Sequence, residues 1–239
     1  MICQAFNRSG ARPKGSSGND FLGAILRERP DLQGQTAYFP EQGIEAHTVF
    51  IGDEVFKGPL DDDWGTYFFD REHVFLKSLE GHDLPIPKVT CVGEETYFFG
   101  MSRMRGVMLG ENFDSWMTPD GRRTLAQDLV AFVMRLANAL PMQEGKFAAH
   151  RDLHYDNILI DPETKRFSAV IDFGRFGYVD KNEWKPHEDF PPSFIKMFLD
   201  EFNARKSELP DPPPAPLLPP PPPKAPPQRS WLKRLLFNP

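Results

Sequence analysis

Cysteine is nearly absent: Cys3 and Cys91 are the only two in 239 residues. That is too few for a disulfide framework, so packing must hold the fold, and a reducing, cytoplasmic setting is expected. No apolar run approaches the roughly 18 residues a bilayer span needs. Arg8, Arg12 and Lys14 have no apolar stretch behind them, so no secretory leader is expected. Positive charge is also short: 28 Lys and Arg stand against 34 Asp and Glu, for a net −6. With no basic stripe in the body, a nucleic-acid partner is not expected. The chain lacks both a G-x-G-x-x-G loop and a P-loop, so any nucleotide site must be built without them. Its length suits one two-lobed domain and a tail.

What the chain does have is concentrated between His150 and Gly174. His150-Arg151-Asp152-Leu153-His154-Tyr155-Asp156-Asn157 runs into the apolar stretch Asn157 to Ile160. The polar turn Asp161-Pro162-Glu163-Thr164-Lys165 follows, then Phe167 to Ile171, then Asp172-Phe173-Gly174. Two short apolar runs about a turn read as a hairpin. Its ends meet, so Asp152, Asn157 and Asp172 can face one small volume. Phosphoryl transfer from a nucleotide needs such a set: a carboxylate to orient and deprotonate a hydroxyl, and an amide oxygen and second carboxylate for Mg²⁺. D-x-x-x-x-N followed by D-F-G is the kinase catalytic-loop and metal-loop pair. Ordinary acidic hairpin turns would not be expected to supply both parts in this order.

The segment His150-Arg151-Asp152-Leu153-His154 with Asn157 resembles the catalytic loop of the aminoglycoside phosphotransferase and choline-kinase group, within the protein kinase-like superfamily. Protein kinases usually have Lys where His154 stands, and the small-molecule group commonly has Gly where Arg151 stands. The resemblance covers about residues 36–209 and implies an α+β, protein kinase-like two-lobed fold, with a sheet-rich N-lobe and a mostly helical, shortened C-lobe. It implies Asp152 as the catalytic base or hydroxyl-orienting group. Asn157 and Asp172 would be Mg²⁺ ligands, and ATP the co-substrate, with GTP also open.

Along the chain, residues 1–35 are expected to form a flexible N-terminal segment, with a short helix through Phe21, Leu22, Ile25 and Leu26 capped by Asn19-Asp20. Strands are expected at Thr36 to Phe39, Ala46 to Ile51 and Glu54 to Lys57, within an N-lobe over 36–103. Gly43 would lie in the loop over the phosphates, or be an ordinary hairpin glycine. Lys57 matches the phosphate-binding lysine of the family pattern. Phe68, Phe75 and Leu79 recur at helical spacing with Glu72 on their face. An inward carboxylate needs a partner, and the family pattern supplies Lys57. Pro85 to Val89 and Glu95 to Met101 would be the last two strands. Ser102-Arg103-Met104 falls at the hinge, where Ser102 and Met104 would contact the nucleotide base.

The C-lobe is expected over 104–209. A helix starts at Thr118-Pro119-Asp120 and carries the stripe Leu125, Leu129, Phe132, Val133, Leu136 and Leu140. A second helix surrounds Ser193 to Phe202. Asp180, Glu183, Glu188 and Asp189 could meet a cationic acceptor, although a solvated acidic loop is the plainer reading. Residues 210–239 form a proline-rich tail with a basic apolar end: 12 of the 25 prolines lie in 210–227, which favours polyproline II. Trp231 to Phe237 could contact a protein partner or a membrane surface, or fold back on the kinase domain. A small-molecule acceptor is the expected substrate. A protein kinase, favoured by Arg151 and opposed by His154, and a non-catalytic kinase-like binding module are the alternatives.

Overall fold

A computed structural model describes residues 18–40, 46–59, 63–110 and 113–210. The first part is a five-stranded antiparallel sheet in the order β1-β2-β3-β5-β4. Its strands are β1 (Ala37–Tyr38), β2 (Ala46–Ile51), β3 (Glu54–Pro59), β4 (Val89–Val92) and β5 (Phe99–Ser102). Side chains alternate across each strand, so the sheet has two apolar faces. Val49, Ile51, Phe56 and Phe98 pack on one face with Phe21 and Ile25 of α1 (Gly18–Glu28). Val55, Phe99 and Met101 pack on the other, with Phe69, Phe75 and Leu76 of α2 (Asp63–Ser78). Because Phe56 turns toward α1, Val55 and Lys57 turn toward α2. That alternation gives Lys57 its direction.

The helix at 18–28 forms where the sequence suggested one, and its docking is the first departure from expectation. Residues 18–32 do not form part of a separate flexible segment; they are built into the sheet domain. Phe21 and Ile25 are fully buried, and a Cβ on Gly58 would stand 2.4 Å from the Phe21 ring, so Gly58 is what lets the helix approach. The Glu28 carboxylate then accepts from the amides of Glu95 (3.3 Å) and Thr96 (2.7 Å) at the β4–β5 turn. A second departure is the placement of β4. Pro85 and Pro87 lack an N–H for a ladder, so that strand starts at Val89. Leu84 and Ile86 instead bury themselves in the main core. Glu95 and Thr96 serve the turn, and β5 begins only at Phe99.

The second part is mainly helical. In α4 (Pro119–Ala139), Thr118 Oγ1 caps the first turn by accepting from Gly121 N at 3.1 Å. The helix buries Leu125, Leu129, Phe132, Val133 and Leu136. Phe194, Phe198 and Phe202 form the buried stripe of α5 (Pro192–Ala204), at the four-residue spacing that keeps one helix face. Between them lie β6 (Val107–Met108), the short α3 (Phe113–Trp116), β7 (Phe147–His150), β8 (Ile158–Ile160), β9 (Phe167–Val170) and β10 (Phe176–Val179). The strands pair as β6-β8-β9 and β7-β10. The β8–β9 hairpin is closed by Asp161, whose carboxylate accepts from the amides of Glu163 (2.9 Å) and Thr164 (2.7 Å). Gly43 and residues 211–239 lie outside the described residues. No described helix is long and apolar enough to cross a membrane.

The docking of α1 has a direct test. Phe21→Ala is expected to destabilise the protein by about 3 kcal/mol, the cost of a large cavity in a packed core. The measurement is the urea midpoint at unchanged slope. A loss under about 1 kcal/mol would contradict a docked helix.

Candidate active site

The sequence stretch that suggested chemistry folds into a cleft wall shared by both parts of the fold. Lys57 Nζ lies 3.0 and 2.8 Å from the two carboxylate oxygens of Glu72 on α2, and 3.1 Å from Asp172 Oδ1. Three elements distant in sequence meet on one ammonium. Burial by itself would lower the Lys57 pKa, but the charges of Asp172 and Glu72 outweigh it and hold the group above the ordinary lysine value. Burial raises the Glu72 carboxyl despite Lys57. Asp172 is lowered, chiefly by the Lys57 charge acting against its own partial burial. Glu72 Oε1 also accepts from Phe173 N at 3.2 Å, tying α2 to the backbone that presents Asp172.

Asp172 itself is left-handed, at φ 60° and ψ 73°, a conformation that Asp adopts more readily than most residues. The reversal sends Phe173 into the core, 5.5 Å from the Phe75 ring and 4.7 Å from His150, while the Asp172 carboxylate stays 45% exposed. Gly174 passes under α2, where an added Cβ would be 3.3 Å from Phe68 Cβ. The face Phe68, Glu72, Phe75, Leu79 read from the sequence is therefore the face toward 172–176. Phe69, His73 and Leu76 were not in that stripe: Phe69 and His73 meet the sheet at Phe99, and Leu76 joins the same core.

The loop after β7 is held by its own backbone. His150 is buried; its Nδ1 accepts from Asp152 N at 3.2 Å, so Nε2 carries the proton and donates to Ile171 O at 3.1 Å. Burial lowers its pKa and keeps it neutral. Asn157 Nδ2 donates to Asp152 O at 2.8 Å, and Ile171 N donates to Asn157 O at 2.9 Å. Asp152, Asn157 and Asp172 are thus locked to one another through main-chain atoms, as the hairpin reading required. Asp152 Oδ2 lies 3.7 Å from His154 Nε2 and 3.8 Å from Arg175 Nε. The bond with His154 lowers the Asp152 pKa, with Arg175 adding to it against burial, and Asp152 in turn raises His154.

Sequence reading missed His150 as the tie between the loops, and Arg175 and His154 as flanks of Asp152. Arg175 follows D-F-G directly, which was the available signal. Of the residues expected at a hinge, Ser102 is engaged within the sheet: its N–H donates to Lys88 O (2.8 Å) and its Oγ accepts from Lys88 N (2.9 Å). Arg103 N donates to Asp53 O. Met104, at the next position, is half-buried. Of the four acidic residues read as a solvated loop that could also meet an acceptor, Asp180 organises its own turn (Asn182 N at 2.7 Å) and Glu188 pairs with Lys185. Asp189 does approach the loop, acting with Asp156 on His154 and with Asp114 on Tyr155.

No cluster of three or more His, Cys, Asp or Glu suited to a metal occurs among the described residues. Mg²⁺ does not need one: it takes one or two protein oxygens and fills its shell with phosphates and water. Asp172 is anionic and half exposed, and the Asn157 amide nitrogen is occupied by Asp152 O, which leaves Oδ1 as its ligating atom. The donor set fits.

Residues 135–180, the stretch that contains this site, match the family described as "Phosphotransferase enzyme family". An aminoglycoside 3'-phosphotransferase of Streptomyces fradiae is 34% identical over 76 residues, 28% of this chain and 28% of that protein's length. In fold, the chain is similar to the GDP complex of aminoglycoside 2'-phosphotransferase-IIIa (TM-score 0.67, 18% identity, 79% of this chain and 83% of that one). It is also similar to a macrolide 2'-phosphotransferase from Brachybacterium faecium (TM-score 0.56, 16% identity, 78% and 82%). The protein kinase-like fold is therefore that of the aminoglycoside phosphotransferase structures.

The energetics of the triad can be measured. Lys57→Met leaves Glu72 buried without its cation, so a loss of about 3 kcal/mol or more is expected. The double variant Lys57→Met/Glu72→Gln removes both charges and should recover most of it. Chemical denaturation of the three proteins gives the comparison, and equal losses in single and double variants would contradict the pairing.

Proposed function

We propose that this chain, which belongs with the aminoglycoside phosphotransferases in the protein kinase-like superfamily, moves the γ-phosphoryl group of a nucleoside triphosphate to a hydroxyl of a small cationic acceptor. The observation that carries this reading is the single ammonium, Lys57, held by Glu72 and Asp172 beside a rigid Asp152–Asn157 loop. That arrangement has little use in an ordinary core, where three buried charges would be costly.

In this reading Lys57 binds the phosphates, fixed in direction by Glu72. Asp152 accepts a hydrogen bond from the acceptor hydroxyl and aligns it for in-line attack. Its lowered pKa keeps it ionised, so it can accept that hydrogen bond while being a weak base, which suits a loose phosphoryl transition state in which the proton leaves late. Asn157 Oδ1 and the Asp172 carboxylate would hold Mg²⁺, which when bound neutralises charge on the phosphates. Met104, and Ser102 by its main-chain carbonyl, would meet the base edge, of adenine or guanine. Gly43, if it covers the phosphates, would do so with backbone amides. For the acceptor, Asp114, Asp156 and Asp189 are all largely exposed (80%, 68% and 60%), and they give the rim beyond Asp152 a negative field. An aminocyclitol or another polyamine alcohol matches that field. In this reading the cleft lies between an N-lobe over 36–103, joined by the docked helix at 18–28, and a C-lobe over 104–209.

The test is turnover of ATP and GTP with a panel of aminoglycosides, choline-like alcohols and a generic protein substrate. Asp152→Asn should bind nucleotide normally and lose about 10²- to 10⁴-fold in kcat, the usual worth of a positioned acid or base. Asp172→Ala should lose Mg²⁺-dependent nucleotide binding as well. Phosphorylation of the protein substrate alone would replace the small-molecule reading with a protein kinase. Absence of nucleotide binding in the wild type would replace it with a non-catalytic module.

A further inference from the structure

Helix α1 lies along the back of β3, the strand that carries Lys57, and grips it at both ends. At one end the Phe21 ring covers Gly58, the residue after Lys57, so closely that an added Cβ would stand 2.4 Å from it. Gly58 pairs across the ladder with His47, and Phe21 stacks on that imidazole at 5.7 Å. At the other end Arg29, the residue after α1, places Nη1 3.0 Å from Glu54 Oε2. Glu54 opens β3 and pairs with Ser102 of β5. Between the two grips, Phe56 shares the buried cluster of Phe21 and Ile25, and the Arg29 guanidinium lies 5.9 Å over its ring.

The two elements match in length. From Phe21 to Arg29 a helix rises about 12 Å, and from Gly58 back to Glu54 a strand covers about 13 Å. A third grip lies beside the second: the Glu28 carboxylate accepts from the amides of Glu94, Glu95 and Thr96, in the turn that leads into β5. One short helix thus holds the strand bearing Lys57 and the strand ending at Ser102. Held at both ends on one face, β3 cannot slide or twist without breaking a grip. Lys57 leaves from the opposite face, so its place over the cleft follows from α1.

We propose that α1 is a splint for β3, and that Phe21 and Arg29 are positioning residues that hold Lys57 at a fixed span from Ser102–Met104. The inference rests on the nucleotide reading of the cleft. A nucleoside triphosphate would meet both places at once, its phosphates at Lys57 and its base at 102–104, so its affinity depends on that span being set in advance. A nucleoside alone meets only 102–104, and its affinity does not depend on the span. Phe21 and Arg29 touch no part of the ligand; they act through β3.

The experiment compares the full wild-type chain with Arg29→Gln, Gly58→Ala and the double variant Phe21→Leu/Gly58→Ala, each below its unfolding midpoint. Calorimetry measures Mg²⁺-ATP and Mg²⁺-GTP, and in a second arm adenosine and guanosine. Arg29→Gln and Gly58→Ala should bind the preferred triphosphate about fivefold or more weakly, the lower end of a typical coupling between sites, and bind its nucleoside as the wild type does. In the double variant the smaller side chain makes room for the added methyl and should restore most of the triphosphate affinity. Arg29 is partly exposed, so its replacement leaves the fold intact. Hydrogen exchange without ligand should quicken over 68–76 of α2, which α1 does not touch, and stay unchanged over 125–137 of α4. Triphosphate and nucleoside weakened alike, or neither weakened, overturns the proposal. If the wild type binds no nucleotide, the reading of the cleft fails by itself and exchange decides the splint: quickening at 68–76 alone retains it. Unchanged exchange at 68–76, or equal quickening in α4, overturns it.

Discussion

One ammonium group sets the geometry of this molecule. Lys57 reaches the cleft because strand alternation turns it away from Phe56 and toward α2, and there it meets carboxylates from a helix and from the turn after β9. Burying it without partners would cost several kcal/mol. With both partners in place, the helix, the sheet and the Asp172 turn can depart from one another only by exposing an unpaired charge. The set contains two carboxylates and one cation, so it keeps an excess negative charge on the half-exposed Asp172. That is the electrostatic condition for attracting a divalent cation with its phosphates.

The opposite wall is rigid for a different reason. Asp152 lies between His150, which accepts its amide proton, and Asn157, which donates to its carbonyl, while the imidazole of His150 also spans to Ile171. The carboxylate is therefore aimed by main-chain hydrogen bonds, and its side-chain oxygens are left to His154, Arg175 and an incoming hydroxyl. Buried polar groups linked this way specify one arrangement because any alternative leaves a donor or acceptor unpaired. Trp184 Nε1 extends the same network at His150 O (3.4 Å), joining the loop to the aromatic core around Phe198 and Phe202.

Much of this was legible in the sequence, and the reasons differ by residue. Asp152, Asn157 and Asp172 stood out because a hairpin fixes the spacing between its ends. Glu72 stood out because a carboxylate on an apolar helical face demands a cation. The placement of α1 was not legible: its apolar residues fit a short helix anywhere, and only the absent side chain of Gly58 shows where it docks. The start of β4 was misplaced because the apolar residues of Pro85 to Val89 pointed to a strand that two prolines could not join. No local pattern could show that the Ser102 amide is taken by Lys88.

Every role assigned to this cleft depends on the Lys57 triad holding a nucleotide. Calorimetric titration of ATP and GTP into the wild type and Lys57→Met, with Mg²⁺ and then with the metal chelated, tests this most directly. Saturable, Mg²⁺-dependent binding by the wild type that falls at least about tenfold in Lys57→Met is the predicted result. Equal binding by the two proteins, or none by the wild type under either condition, would contradict it.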